Sequence, residues 1–305
     1  MFAAPPVDGR GAPYTRAMDT RVPRLPAITL AVAGVLASSG TCYIGVRNLL
    51  AGQADRARQT IPRACDIPPR ADGVYRPGSA SVQRYQRGMA IGVHLMIFGD
   101  STATGYGCQF AHEVPGALIA TALAQRTGQR VRLSTKAIVG ATSKGLAAQV
   151  DATLIAGPPP DAAVIMIGAN DVTAVNGVTG SADRVAAAVR RLRASGAVVI
   201  VGTCPDLGVV SALPQPLRWV AHTRARQLAR AQDHAVTAAG GIAVPFADGH
   251  DPAFQQALHD TPELLFSRDQ YHPSAAGYAL AASRMIPALW TALGEPDARA
   301  VARSG

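Results

Sequence analysis

Five short apolar runs punctuate the later two-thirds of the chain: 94–98 (HLMIF), 131–138 (VRLSTKAI), 162–167 (AAVIMI), 197–203 (AVVIVGT) and 242–246 (IAVPF). Between and after them come longer amphipathic or alanine-rich stretches at 110–127, 143–155, 181–194, 215–238 and 274–293. Runs this short suit strands, and the longer stretches suit helices. Their regular alternation predicts an α/β fold, a five-stranded parallel sheet covered by helices on both faces. Strands apolar on both sides agree with burial from both directions. Ligands of such sheets bind beyond the carboxyl ends of the strands. Ser101 follows the first run, Gly140 the second and Asn170 the third, so all three are expected at the edge where a site should lie.

The pattern changes before residue 89. Residues 27–46, AITLAVAGVLASSGTCYIGV, form an uncharged run of twenty. As a helix rising 1.5 Å per residue it would span roughly 30 Å, the hydrocarbon thickness of a bilayer. Arg10, Arg16, Arg21 and Arg24 precede it, so the positive-inside tendency puts residues 1–26 in the cytoplasm and the remainder outside. Two readings stand open: an uncleaved transmembrane anchor, which the run's length favours, or a secretory signal cut after Ala37-Ser38-Ser39. Both export the rest of the chain. Residues 47–88, rich in Arg, Pro and Gly, read as a linker, with seven arginines from Arg56 to Arg87 available to anionic headgroups or merely to solvent. The catalytic domain is then expected over 89–305.

Charge sharpens this division. The net charge is +9, but residues 1–88 hold 12 Arg against 5 Asp, whereas residues 89–305 hold 17 Lys and Arg against 15 Asp and Glu. Basicity thus belongs to the N-terminal part, and a nearly balanced domain with 5% aromatics excludes nucleic acid as a partner. Cysteines are few. Cys42 falls in the apolar run, while Cys108 and Cys204, both placed near the sheet edge, form a candidate disulfide in an oxidising compartment. No C-x-x-C or C-x-x-H spacing suggests a metal site.

The chemistry lies in three short segments. Gly99-Asp100-Ser101-Thr102 closes the first apolar run, Gly168-Ala169-Asn170-Asp171 closes the third, and Asp269-Gln270-Tyr271-His272-Pro273 lies near the C-terminus. A serine hydroxyl is a poor nucleophile until a base takes its proton, and neutral imidazole suits that task near pH 7. A carboxylate three residues before a histidine can hold the correct tautomer and stabilise the imidazolium. An asparagine amide can donate to charge that develops only in the transition state. Asp100 and Asp171 are expected to hold loops, Tyr106 and Tyr271 to pack or to touch substrate. His94, His112, His222, His234, His250 and His259 are expected to be structural or on the surface. No G-x-S-x-G elbow surrounds Ser101, so a different serine scaffold is indicated.

These segments, with Gly140 in Val139-Gly140-Ala141-Thr142-Ser143, resemble the signature blocks of the SGNH (GDSL-type) hydrolases over about residues 92–293. Gly99-Asp100-Ser101 matches the first block with Thr102 in place of the usual leucine, Gly140 represents the second, Gly168-x-Asn170-Asp171 the third and Asp269-x-x-His272 the last. The resemblance implies a three-layer α/β/α, flavodoxin-like fold. It implies Ser101 as nucleophile, His272 as base and then acid, and Asp269 as the group orienting His272. It also implies an oxyanion hole from the backbone N–H groups of Ser101 and Gly140 and the Asn170 amide, with no metal or cofactor. The expected function is an exported, membrane-tethered serine esterase acting on carboxylic esters of lipids or acylated sugars. Alternatives are an acyltransferase using the same serine and an inactive membrane-bound binding module.

Overall fold

The structure is a computed structural model that describes residues 45, 48–56, 67–247 and 252–294. The basic terminus 1–26, nearly all of the apolar run 27–46, and Cys42, Cys65 and His250 lie outside the described residues. Among the described residues no helix is long and apolar enough to cross a membrane.

In chain order the elements are β1 (Gly73–Tyr75), β2 (Val93–Gly99), α1 (Ser101–Thr104), α2 (Pro115–Thr127), β3 (Val131–Thr135), α3 (Leu146–Ala156), β4 (Ala162–Met166), α4 (Ala169–Thr173), α5 (Val178–Ala194), β5 (Val198–Gly202), α6 (Leu217–Ala238), β6 (Ile242–Val244), α7 (Pro252–Asp260), α8 (Pro262–Leu265) and α9 (Ala275–Leu293). The sheet order is β1-β3-β2-β4-β5-β6. The five expected strands are all present and parallel.

Alternation along each strand builds the three layers. In β2, Val93, Leu95 and Ile97 face a core shared with Ile119 and Leu123 of α2 and Met285 and Leu289 of α9. Met96 and Phe98 face the opposite core, with Val150 of α3, Val189 and Leu192 of α5, and Val236 of α6. Burying each such side chain contributes about 1.5–3 kcal/mol, so a register slip of one residue, which exchanges the two faces, is strongly disfavoured.

Two expectations need correction. The sheet has six strands, because Gly73–Tyr75, in the segment read as a linker, pairs antiparallel with β3. Val74 and Tyr75 are buried there, and the Tyr75 hydroxyl donates to Ala71 O at 2.7 Å. Farther upstream, the Gln53 amide donates to Gln215 O at 2.6 Å and accepts from Leu217 N at 3.1 Å, tying helical residues 49–56 to the start of α6. Second, Cys108 and Cys204 are both free thiols. They pack into different apolar clusters, Cys108 against the α2 and α9 side and Cys204 with Leu207 and Ala225, so the shared sheet edge does not bring them together. Burial, with Glu113 nearby, pushes the Cys108 thiol up to about 12, and burial pushes Cys204 well up too. Neither is a ready thiolate.

Strand ends also differ from the sequence pattern. The second strand stops at Thr135, because the chain then turns so that Ile138 N donates to Gly99 O (3.0 Å) and Ala141 N to Ile138 O (3.0 Å). The last stops at Val244, before Pro245, which has no N–H for a ladder.

Candidate active site

Ser101 sits on the sharp exit from β2. Gly99 has φ +132, and a Cβ there would lie 1.9 Å from Met166 O, so only glycine lets β2 run this close to β4 before turning. Asp100 then caps α1, accepting from Thr102 N (2.9 Å) and Thr102 Oγ1 (2.7 Å). Ser101 is the first residue of α1, where a backbone N–H has no partner within its helix.

His272 approaches from the other side, on a loop of its own making. Ser267 N donates to His272 O (2.7 Å), Gln270 N donates to Ser267 O (2.9 Å), and Phe266 and Pro273 form an isolated bridge. Asp269 organises this loop from within: Oδ1 accepts from Ser267 Oγ (2.8 Å), Tyr271 N (2.9 Å) and His272 N (2.9 Å). Gln270, between them, adopts φ 56, a left-handed conformation that costs a non-glycine residue energy and tends to persist only where surroundings enforce it. Ser211 Oγ donates to its side chain at 3.0 Å.

The two halves meet at the reacting groups. His272 Nε2 lies 2.9 Å from Ser101 Oγ, and His272 Nδ1 lies 2.6 Å from Asp269 Oδ2. Burial alone would raise the Asp269 carboxyl. The bonds from the His272 ring and backbone and from Tyr271 N–H outweigh it and hold the group below the ordinary carboxylate range. An ionised Asp269 only accepts, so Nδ1 must carry the ring proton, and the neutral ring then presents Nε2 as an acceptor for the serine hydroxyl. The imidazole is boxed by aromatic rings, Tyr106 at 4.4 Å and Tyr271 at 5.0 Å between centroids. Tyr278 of α9 donates to Tyr106 O at 2.8 Å, locking the loop after the serine onto the final helix.

Asn170 is the second residue of α4, just beyond β4, and its amide donates to Ala141 O at 2.9 Å, which leaves the second amide hydrogen for a ligand. Gly140, one residue before Ala141, is exposed with φ +81, as the tight turn over 138–141 requires. Among the described residues no acceptor is found for the Ser101 or Gly140 N–H. Asp171, next to Asn170, accepts from Ser143 N (2.8 Å), Ser143 Oγ (2.7 Å), Ser181 Oγ (2.9 Å) and Asn176 Nδ2 (3.0 Å). Adjacent side chains of α4 thus clamp both ends of the loop 141–143, and Asp171, like Asp100, holds loops as expected.

His94 and His222 lie in contacts apart from Ser101 and Asp269. His94 is buried with Nε2 3.2 Å from Ser134 Oγ, and burial pushes it down to about 4. His222 Nδ1 lies 2.7 Å from Asp206. Among the described residues no group of three His, Cys, Asp or Glu side chains converges as metal ligands would.

Sequence reasoning overlooked two buried glutamines. Gln149 of α3 accepts from Gly99 N (2.9 Å) and donates to Gly99 O (2.8 Å). Gln232 of α6 accepts from Cys204 N (2.6 Å) and donates to Ile167 O (3.0 Å). Their signal was a polar residue on an apolar helix stripe, Leu146-Gln149-Val150 and Leu228-Ala229-Gln232-Val236.

A serine hydroxyl, imidazole and carboxylate in series at the carboxyl edge of a parallel sheet define a scaffold for serine hydrolase chemistry. The sequence profile described as the GDSL-like Lipase/Acylhydrolase family matches residues 97–280, and the chain belongs to that family. It is 63% identical over 274 residues to a GDSL-like esterase of Mycobacterium tuberculosis, covering 90% of this chain and 86% of that protein. Among solved structures, an α/β hydrolase enzyme from the metagenome of Lake Arreo, Spain, shares 22% identity at a TM-score of 0.52, covering 68% of this chain and 99% of its own. An acetyl-xylooligosaccharide esterase from Geobacillus stearothermophilus shares 21% identity at 0.51, covering 65% and 94%. The structural likenesses speak for the fold, and the family and the mycobacterial relative make the chain an ester hydrolase of the GDSL type.

Proposed function

We propose that the protein is an exported, membrane-tethered serine esterase that cleaves carboxylic esters of lipids or acylated sugars through an acyl-enzyme. The observation that carries the mechanism is the continuous bond path from Ser101 Oγ through His272 to Asp269, at 2.9 and 2.6 Å. In this reading His272 Nε2 takes the serine proton as Oγ attacks the ester carbonyl, and a tetrahedral oxyanion forms. The Ser101 and Gly140 N–H groups and the free Asn170 amide hydrogen receive that charge. The imidazolium, stabilised by ionised Asp269, returns its proton to the departing alcohol. Water, activated by the same Nε2, then adds to the acyl-serine carbonyl, and collapse of the second tetrahedral intermediate releases the acid and restores Oγ–H.

Support for the tether is the twenty-residue uncharged run with arginines ahead of it. Support for an acylated sugar among the substrates is the fold shared with the acetyl-xylooligosaccharide esterase, and for a lipid the proximity to a bilayer that the tether would impose. One experiment tests both halves. Cells making the full chain are fractionated and treated with a fluorophosphonate probe. A labelled band is expected in the membrane fraction, lost in Ser101→Ala and moved to a soluble fraction when residues 1–46 are removed. Labelling of Ser101→Ala would remove the nucleophile assignment, and full-length protein found wholly soluble would remove the tether.

A further inference from the structure

The ladder between β4 and β5 ends at Met166 and Gly202, and that between β2 and β3 at Ile97 and Thr135. Beyond these points the strands part to make room for the turns that carry Ser101 and Gly140 at one fork and Asn170 at the other, and parting strands leave backbone N–H and C=O groups without ladder partners. In a buried place each orphaned group costs about 1–3 kcal/mol. The two buried glutamines are inserted at these forks.

Gln149 takes both polar groups of one residue, Gly99 N–H on Oε1 and Gly99 C=O on Nε2, much as a neighbouring strand would. The same Gly99 carbonyl also accepts from Ile138 N, at the start of the turn that carries Gly140. Gly99 is therefore the common point of the serine turn and the Gly140 turn, and Gln149 fixes it. Gln232 spans the fork between β4 and β5, from Cys204 N beyond β5 to Ile167 O beyond β4, immediately before Gly168-Ala169-Asn170. Both amides come from helices of the same layer, both are almost wholly buried, and neither is bonded to Ser101, His272 or Asp269.

We propose that Gln149 and Gln232 are positioning residues for the oxyanion hole: Gln149 sets the Ser101 and Gly140 N–H groups through Gly99, and Gln232 sets the Asn170 amide through Ile167. The inference rests on the oxyanion assignment made above. An amide is suited to this task because it offers a donor and an acceptor in one rigid plane without a charge that burial would penalise. Displacing a reacting-site donor by an ångström can cost about 100-fold, so loss of a clamp should be read in turnover before it is read in affinity.

The test uses the full chain with p-nitrophenyl acetate and, as mimic of the tetrahedral state, a trifluoromethyl ketone. Gln149→Met, close in size but without hydrogen bonds, should lower kcat about 10- to 100-fold, leave KM within about twofold, and weaken the ketone by the same factor as kcat/KM. Gln149→Glu, which keeps an acceptor for Gly99 N–H, should recover part of the loss, and it carries the test if the methionine variant does not fold. Gln232→Met should lower kcat by about tenfold in the native chain but by less than about twofold in an Asn170→Ala background, because the donor it positions is already gone. Equal costs in both backgrounds, or unchanged kcat in folded Gln149→Met, would overturn the proposal. Undiminished turnover in Asn170→Ala itself would instead overturn the oxyanion assignment beneath it.

Discussion

The two halves of the site are held by different means. On one side, Ser101, Gly140 and Asn170 each emerge from the end of a sheet strand, and their placement depends on ladders and on helix side chains far away in sequence, such as Gln149 and Gln232. On the other, His272 and Asp269 sit in a six-residue excursion between Phe266 and Pro273, held by bonds that loop makes mostly to itself. The difference teaches that oxyanion geometry is a property of the whole core, whereas the acid–base pair is nearly a self-contained unit docked onto it. Contacts that dock it include Ser101 Oγ and the Tyr106 ring on His272, Ser211 Oγ and Ala212 N on Gln270, and the packing of Phe266 and Tyr271 against the apolar cluster around Cys204 and Leu207.

The largest effect should come from the self-contained half. Asp269→Ala removes both the partner of Nδ1 and the acceptor of three loop donors, so kcat should fall on the order of 10⁴-fold and the melting temperature should drop. Asp269→Asn retains an acceptor at Oδ1 but turns the ring tautomer, and should restore most of the melting temperature without restoring the rate. Kinetics beside a thermal melt separate the two, and a variant that recovered both would erase the distinction between scaffold and charge. A smaller loss is expected on the sheet-held side. Asn170→Ala should cost about 100- to 1000-fold in kcat with KM little changed, one donor of three being lost. A loss as large as that of Asp269→Ala would mean that the two halves are not independent.

The smallest effect is a pH dependence. Burial pushes Asp100 up to about 6, against the lowering influence of the Thr102 and Gly168 hydrogen bonds and of His272. A carboxyl raised on folding takes up a proton between its unfolded value and about 6, so it favours the folded state as pH falls through that window and burdens it above. Asp269, held low, does the reverse, its contribution being fully present above the ordinary carboxylate value and lost progressively as pH falls from there through its depressed folded value. Asp100→Asn, measured against the native chain by thermal melting, should therefore be relatively more stable at pH 8 than at pH 5, by about 2–4 °C for each kcal/mol involved. An equal difference at both values would show that the Asp100 charge carries no such burden.

Legibility in the sequence divides along the same line. Asp269 and His272 are legible because their relation is local, a carboxylate three residues before an imidazole in a polar loop. The five parallel strands are legible because burial on both faces leaves unbroken apolar runs. The three strand-end residues could be placed on one edge once the alternation was read. The glutamines were hidden, since a lone polar residue within a helix stripe looks like noise until the groups opposite it are known. The strand Gly73–Tyr75 was hidden because three residues between prolines and glycines carry too little periodicity to read. Cys108 and Cys204 misled because sharing a sheet edge says nothing about which layer each side chain enters.

That short strand has one more consequence. β3 would otherwise stand at the margin of the sheet with a row of open N–H and C=O groups, a template for pairing with another copy. Gly73–Tyr75 occupies that row in the antiparallel sense, and Val74 in turn exchanges bonds with Gln83. The stretch that joins the hydrolase to its N-terminal run is thus also its guard against self-association, and a molecule trimmed to begin at residue 89 would keep every reacting group while losing that protection.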